Sequence, residues 1–179
     1  MKILFHFIVS LILICFIISC NKINSKNKNI LSEKFGTSID YIDSLKYFNL
    51  IEGWIPPPQQ YPLKIVTYIN ADCNQCLYDL LAWKEILKNH QNDKVSFLFY
   101  IKIFDLDALA LHLNEIEFQY PVIIDYYGTF SKENSLIEEK MYQTFLVDGN
   151  NKIMLIGNPL LNDKIEELYF TTIRKTQLQ

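Results

Sequence analysis

From residue 63 onward, hydrophobic and polar residues alternate with the period of a strand or recur with the period of a helix, one segment after another. Residues 63–70 (LKIVTYIN) are rich in β-branched and aromatic side chains, which indicates a buried strand. Apolar residues then recur at helical spacing through about residue 90, at Leu77, Leu80, Leu81, Trp83 and Leu87. A second strand is predicted at residues 93–103 and a second helix at residues 105–117. The predicted inward side of that helix is Leu106, Leu109, Ala110 and Leu113.

The C-terminal part of the pattern predicts a hairpin and a closing helix. Residues 144–147 and 152–156 flank the turn sequence at residues 148–151 (DGNN), which is a strong hairpin signal. Residues 162–175 have helical spacing, with a predicted inward side of Ile165, Leu168, Tyr169 and Ile173. The element order β-α-β-α-β-β-α predicts an α/β fold whose mixed central sheet carries helices on both faces.

The first twenty residues form an apolar run behind a minimal basic start, Met1-Lys2. The run is about 16 residues long, which is short for a spanning helix and long enough for the core of a signal peptide. The sequence Ile17-Ile18-Ser19-Cys20 resembles a bacterial lipobox, whose cysteine receives lipid and becomes the new N-terminus. We therefore predict a lipoprotein signal peptide at residues 1–19 and lipidation of Cys20. An uncleaved N-terminal anchor is the alternative.

The segment after Cys20 predicts a tethered, extracytoplasmic protein. Residues 20–29 are polar and free of aromatic side chains, which indicates a flexible tether. Several acyl chains on Cys20 would hold the chain at a membrane durably. The tether has no acidic run of the kind that directs some lipoproteins to the cell surface, so a periplasm-facing position is favoured. Residues 30–60 are predicted to be an extension with a proline-rich spacer, in which residues 30–50 form a short hairpin against the domain.

Charge and cysteine usage narrow the function. The net charge of -3 argues against a nucleic-acid partner bound by a broad basic face. Of the four cysteines, Cys15 would leave with the signal peptide and Cys20 would carry lipid, so Cys73 and Cys76 remain as thiols. A disulfide between them would close a four-residue loop and stabilise the fold little. A redox role therefore explains the pair better than a structural role.

The position of the pair favours thiol chemistry. A strand, then Cys-x-x-Cys, then a helix is a thioredoxin-like arrangement. Cys73 would lie at a helix N-terminus, where free N–H groups and the helix dipole stabilise a thiolate, and Asp72 could cap that helix. Cys76, one turn later, would share the same helix face and resolve a mixed disulfide.

Residues 61–175 resemble the thioredoxin-like domain of membrane-anchored, periplasm-facing thiol-disulfide oxidoreductases of the redoxin group. The matching pieces are KIVTYINADCNQC, the Trp83 helix, PVIIDYYGTF at residues 121–130 and QTFLVDGNNKIMLIGNP at residues 143–159. The resemblance implies a thioredoxin-like fold and disulfide exchange with a protein or a small thiol. It also implies recharging by a membrane electron donor and no bound cofactor.

The sequence departs from that family at the substrate side. Tyr142 or Gln143 stands where the family carries a cis-proline, and because a cis bond before a non-proline residue is costly, a trans loop is predicted. The buried acid that thioredoxins place six residues before the first cysteine is Thr67 here. Substrate docking should then differ from the family's.

The motif itself also departs from the family. Its inner residues are Asn74 and Gln75, and the carboxylate of Asp72 opposes the thiolate of Cys73. These residues and the loop before the hairpin are the predicted substrate groove, namely Asp72, Asn74, Gln75, Tyr142 and Gln143.

His90 and His112 do not have recognised zinc spacing, so no metal site is predicted. Aromatic residues around positions 126–142 could line a groove, but core and rim packing is the prediction for Tyr126, Tyr127, Phe130 and Tyr142. The alternative function is a non-catalytic thioredoxin-like lipoprotein that binds a protein and keeps an inert disulfide.

Overall fold

The computed structural model of the chain describes residues 29, 31–42, 45–48, 50, 61–71 and 77–178. The predicted signal peptide, Cys20, the proline-rich spacer and residues 72–76 lie outside them. The chain divides into two compact units, Met1–Phe35 and Gly36–Gln179. In the first unit, residues 29 and 31–34 are helical, and the hydroxyl of Ser32 donates to the Asn29 carbonyl at 2.7 Å. No helix in the described residues is long and apolar enough to cross a membrane.

The second unit is built on a six-stranded mixed sheet in the order β1-β4-β3-β2-β5-β6. The strands are β1 (Lys46–Phe48), β2 (Lys64–Asn70), β3 (Ser96–Lys102), β4 (Val122–Ile124), β5 (Thr144–Val147) and β6 (Ile153–Ile156). Strands β2, β3 and β4 are parallel to one another, whereas β1, β5 and the β5–β6 hairpin pair antiparallel. The predicted strands β2, β3, β5 and β6 are confirmed, while β1 and β4 were not in the predicted element order.

Four helices accompany the sheet: α1 (Asp79–Asn89), α2 (Leu106–Glu115), α3 (Thr129–Glu133) and α4 (Asp163–Gln177). The carboxylate of Asp105 accepts the N–H of Ala108 and so caps α2. The side chain of Asn162 accepts the N–H of Lys164 and caps α4 in the same way. Each of these polar residues stands at the start of a segment with helical spacing of its apolar residues, which explains why both helices begin close to the predicted positions.

The three long helices cover one face of the sheet. Trp83 of α1 lies edge-on to Phe97 and Phe99 of β3, and its ring is almost fully buried. Helix α2 contributes Leu109 and Leu113 to the same core, and α4 contributes Tyr169, Phe170 and Ile173. Leu168 was predicted to point inward, but it is 50% exposed. Phe170, which was not on the predicted inward side, is buried instead and stacks on His90, while Tyr169 and Ile173 are buried as predicted.

The second face of the sheet is covered by α3 and by residues 36–42 and 45–48, which we call the strap. At one edge, the Ile39 N–H donates to Asn151 and Ser38 bridges to Lys152, next to β6. At the other edge, β1 pairs with β4. The hairpin predicted for residues 30–50 is therefore wrong. The strap does not pair with itself. It pairs instead with both edges of the sheet, where strands leave backbone N–H and C=O groups open for pairing.

Between the two edges the strap is held by apolar packing and one buried amide. Ile39 belongs to the cluster formed by the second face, and Tyr41, Ile42 and Leu45 pack against it. Asn134, at the end of α3, accepts the Asp40 N–H at 2.8 Å and donates to the Asp40 carbonyl at 2.9 Å. The strap is thus part of the core of the second unit.

Ile39→Ala should lower the free energy of unfolding by about 2–4 kcal/mol, because it leaves a cavity between the strap and the sheet. Urea denaturation measures the change. Leu111→Ala is the matched control, since Leu111 is 69% exposed and its truncation should cost little. Equal, small effects in both variants would contradict a structural role for the strap.

Candidate functional site

The chain enters and leaves the cysteine segment at two fixed points. Strand β2 ends at Asn70, and the N–H of the buried Ala71 donates to the Lys102 carbonyl at 2.9 Å. Leu77 is buried, and α1 begins at Asp79. The predicted strand before the cysteine segment and the predicted helix after it are both present. Cys73, Cys76, Asp72, Asn74 and Gln75 themselves lie outside the described residues, so their roles stay predictions.

A cleft with a volume of about 960 Å³ opens at this end of the sheet. Its floor includes the last residues of β2, from Thr67 to Asn70, and its wall includes Asp79 and Trp83 of α1. Parallel strands direct their carboxyl ends to the same edge, which is where α/β folds commonly bind ligands. The cleft is therefore the candidate site among the described residues.

The loop before β5 forms another wall of the cleft. Gln143 lines the cleft, whereas the half-buried Tyr142 is not among its lining residues. Residues Lys140–Tyr142 form a 3-10 turn, in which the Tyr142 N–H donates to Glu139 and the Gln143 N–H donates to Lys140. The bond between Tyr142 and Gln143 is trans. Asp72, Asn74 and Gln75 lie outside the described residues, so the predicted groove as a whole stays a prediction.

Gln143 holds this loop in place through both its side chain and its backbone. Its side-chain amide donates to the carbonyls of Ile137 and Glu138 at 3.2 and 2.9 Å. Its own backbone carbonyl accepts the Tyr68 N–H at 2.9 Å and joins the loop to β2. An ion pair between Lys140 and Asp79 connects the same loop to the first turn of α1. The loop and the helix that follows the cysteine pair are therefore linked.

Beneath the cleft, a neutral hydroxyl pair joins β2 to β5. The hydroxyls of Thr67 and Thr144 lie 2.9 Å apart, and both residues are buried. The phenol of Tyr169 donates to the Thr144 carbonyl at 3.0 Å. Burial raises the pKa of Tyr169, so the phenol stays neutral and remains a donor. No carboxylate stands at the position of Thr67, and the buried pair has no ionisable group.

Aromatic and basic residues complete the cleft, and of these the sequence analysis had named only Tyr127, as a residue that could line a groove. Phe104 and Tyr127 line it and are 65% and 75% exposed. Tyr127 was predicted to pack in the core or rim, while the neighbouring Phe130 is indeed fully buried and stacks on Tyr100. Lys102 and Lys132 also line the cleft. These residues come from separate loops and strand ends, so no local pattern could have grouped them.

A buried carboxylate fixes the loop that carries Tyr127. Asp125 is fully buried and accepts the N–H groups of Thr129 and Phe130 at 2.8 and 2.9 Å. Gly128 between them has a φ of 64°, a left-handed conformation that favours glycine. A Cβ at Gly128 would also approach the Tyr68 hydroxyl to 3.2 Å. The position of Tyr127 at the cleft is therefore set by the backbone.

Both histidines in the described part of the chain, His90 and His112, contact neighbouring side chains. His90 lies between the carboxylates of Asp93 and Glu166, at 2.9 and 3.1 Å from its ring nitrogens. His112 contacts the ring of Tyr78 edge-on. Within the described part of the chain, no group of three or more His, Cys, Asp or Glu side chains is arranged so that it could hold a metal ion.

No family model and no curated protein matches this chain. Among solved structures, a thioredoxin-like protein in the oxidised form is 10% identical with a TM-score of 0.54. Peroxidoxin BcpB from Mycobacterium tuberculosis is 15% identical with a TM-score of 0.53. Each match covers 79% of this chain and 97% of the other.

A candidate thiol:disulfide interchange protein DsbE from Chlorobium tepidum is also similar in structure. It is 12% identical with a TM-score of 0.52, and the match covers 64% of this chain and 82% of that one. At such identities the similarity shows the fold. The chain has a thioredoxin-like fold of the α/β class, and the predicted mixed sheet with helices on both faces is confirmed.

Thr67→Val should destabilise the protein by about 1–2 kcal/mol, because it leaves the buried Thr144 hydroxyl without its partner. Thr144→Val should do the same, and the double variant should cost clearly less than the sum of the two. Chemical denaturation measures all three, with Thr171→Val on α4 as a partly exposed control. Additive effects would show that the two hydroxyls do not interact.

Proposed function

We propose that this chain is a thiol-disulfide oxidoreductase that exchanges disulfides through Cys73 and Cys76. The observation that carries the proposal is the Cys-x-x-Cys sequence between β2 and α1 of a thioredoxin-like fold. The names of two structural neighbours, a thiol:disulfide interchange protein and a peroxidoxin, support thiol chemistry on this fold.

Chain connectivity supports a working pair next to the cleft. Cys73 is three residues after Asn70, and Cys76 is three residues before Asp79. Both flanking residues line the cleft. A fully extended chain would place each cysteine at most about 11 Å from a cleft wall. A partner that occupies the cleft is therefore within reach of the pair.

The exchange has two balanced steps. The Cys73 thiolate attacks one sulfur of the partner's disulfide, which forms a mixed disulfide and releases the partner's other cysteine as a thiolate that takes up a proton. The Cys76 thiolate then attacks the sulfur of Cys73 and releases the partner's first cysteine. Two electrons pass to the partner, and the Cys73–Cys76 disulfide remains. A membrane protein with a reduced dithiol would return the pair to the reduced form.

The Thr67–Thr144 pair sets a limit on how this exchange proceeds. Neither hydroxyl can take a proton from an attacking thiol near neutral pH, so protons must pass to and from solvent. We expect exchange that is slower than a buried carboxylate at Thr67 would permit. The same neutral pair keeps the core free of an unpaired charge.

Cys76→Ser should trap a mixed disulfide between Cys73 and a disulfide substrate, since the resolving thiol is gone. Oxidised glutathione is the probe, and intact mass is the readout. Cys73→Ser is the matched control and should form no adduct at Cys76 at a comparable rate. Failure of the wild type and both variants to exchange would reject the oxidoreductase and leave the protein-binding module.

We further propose that Cys20 carries lipid and holds the domain at a membrane, facing the periplasm. The apolar run and lipobox-like sequence at residues 17–20 support this assignment.

Cys20→Ala should abolish the incorporation of a labelled fatty acid by the full chain expressed in a bacterium. Cys15→Ala is the control and should keep the label, because that residue lies within the predicted signal peptide. Equal labelling of the two variants would contradict lipidation at Cys20.

A further inference from the structure

Helix α1 begins without a side-chain cap. Its N-cap residue is Tyr78, whose side chain makes no hydrogen bond to the first turn. Asp79 is the acidic residue of that turn. A carboxylate in this place is favourable for the helix, because it lies next to the free N–H groups and the positive end of the helix dipole. The start of α1 therefore benefits from the negative charge of Asp79.

The same charge is unfavourable for thiol chemistry in the segment before the helix. Asp79 follows Cys76 by three residues, so the chain limits the distance between their Cα atoms to about 11 Å. A pair that forms a disulfide keeps the Cα atoms of Cys73 and Cys76 within about 7 Å of each other. The side chain of Asp79 lines the cleft and is only 18% exposed, so solvent screens its charge incompletely. An unpaired Asp79 would therefore oppose the thiolate that disulfide exchange needs.

Lys140 brings the opposite charge to Asp79 from another wall of the cleft. Its ammonium contacts both carboxylate oxygens of Asp79. The Lys140 carbonyl accepts the Gln143 N–H in the 3-10 turn, and the carbonyl of the neighbouring Met141 accepts the Asn158 N–H at 2.9 Å. The positive charge is thus held at Asp79 by a loop whose backbone is hydrogen-bonded to the rest of the domain.

We propose that Lys140 is a positioning residue of the thiol-disulfide site: its ion pair cancels the negative charge of Asp79, so that α1 keeps its first-turn acid while the cysteine pair keeps its thiolate. Lys140 acts through Asp79 and does not need to touch a cysteine. This inference rests on the proposed function and adds a residue that sets the reactivity of its cysteine pair.

Other charged side chains also surround the pair, and the test must hold them constant. Those that line the cleft come from the end of β3, from α3 and from the loop before the 3-10 turn: Lys102, Lys132 and Glu138. Asp72 belongs to the cysteine segment itself, and His112 contacts the ring of Tyr78. All of them stay unchanged in every variant, so comparison with the wild type isolates the contributions of Lys140 and Asp79.

The test measures how the alkylation rate of the reduced cysteine pair depends on pH, in the full chain in detergent with iodoacetamide as the probe. Peptide mass mapping assigns the label to Cys73 or Cys76. Lys140→Gln should raise the pH midpoint by about half a unit to one unit, because Asp79 is then unpaired. Asp79→Asn should lower the midpoint by less, since the side chain of Lys140 is 43% exposed and better screened. The double variant should return close to the wild-type midpoint.

The opposite signs separate a charge effect from the loss of a structural link. Both single variants break the contact between the loop and α1, so a purely structural role predicts shifts in one direction and no recovery in the double variant. That result would overturn the proposal. Lys140→Arg keeps the charge and should keep the wild-type midpoint. Lys84→Gln is the matched control, because Lys84 forms an ion pair on α1 with Glu117, outside the cleft lining, and its loss should leave the midpoint unchanged.

Alkylation needs no disulfide substrate, which separates this inference from the proposed function. Oxidised glutathione measures exchange in the same set of variants. Exchange by the wild type, together with equal midpoints in all variants, would overturn the role of Lys140 while leaving the oxidoreductase intact. Opposite shifts in the two single variants, without any exchange by the wild type, would uphold the charge effect of Lys140 and reject the oxidoreductase.

Discussion

The rest of the structure depends on the position of strand β2 at the centre of the sheet. It pairs with β3 along its whole length, from Lys64 to Asn70, and with β5 from Lys64 to Thr67. All but the last of its residues are buried. Such a strand cannot shift by one residue without turning both of its apolar faces the wrong way. It therefore fixes where the chain leaves the sheet, which is directly before the cysteine segment.

A sheet with two apolar faces needs a cover on each. The long helices α1, α2 and α4 all pack on one face. For α1 and α2 the reason is that the two successive parallel crossovers, from β2 to β3 and from β3 to β4, lie on the same side of the sheet. The other face is left to the short helix α3 and the strap. The strap thus completes the fold of the second unit, and Asn134 at the end of α3 holds it through Asp40.

Much of this fold was predictable because long elements carry a strong periodicity. The strands β2 and β3, the helices α1, α2 and α4 and the β5–β6 hairpin all follow their patterns. Strands β1 and β4 have three residues each, too few for a periodic signal, and their pairing depends on edges that exist only in the folded sheet. The cleft could not be predicted for a related reason: its aromatic and basic residues are far apart in sequence and meet only in the folded chain. Gln143 was located by its place before the hairpin, but its role as a clamp on the loop could not be read from sequence.

The central claim is that Cys73 and Cys76 form a working redox couple. Its most direct test is the reduction potential of the pair, obtained by equilibration with glutathione or dithiothreitol followed by alkylation and mass measurement. A potential near or above about −270 mV, within the range of known exchange proteins, is the result we predict. A potential well below about −300 mV, or a pair that does not exchange at all, would mark a structural disulfide and contradict the account.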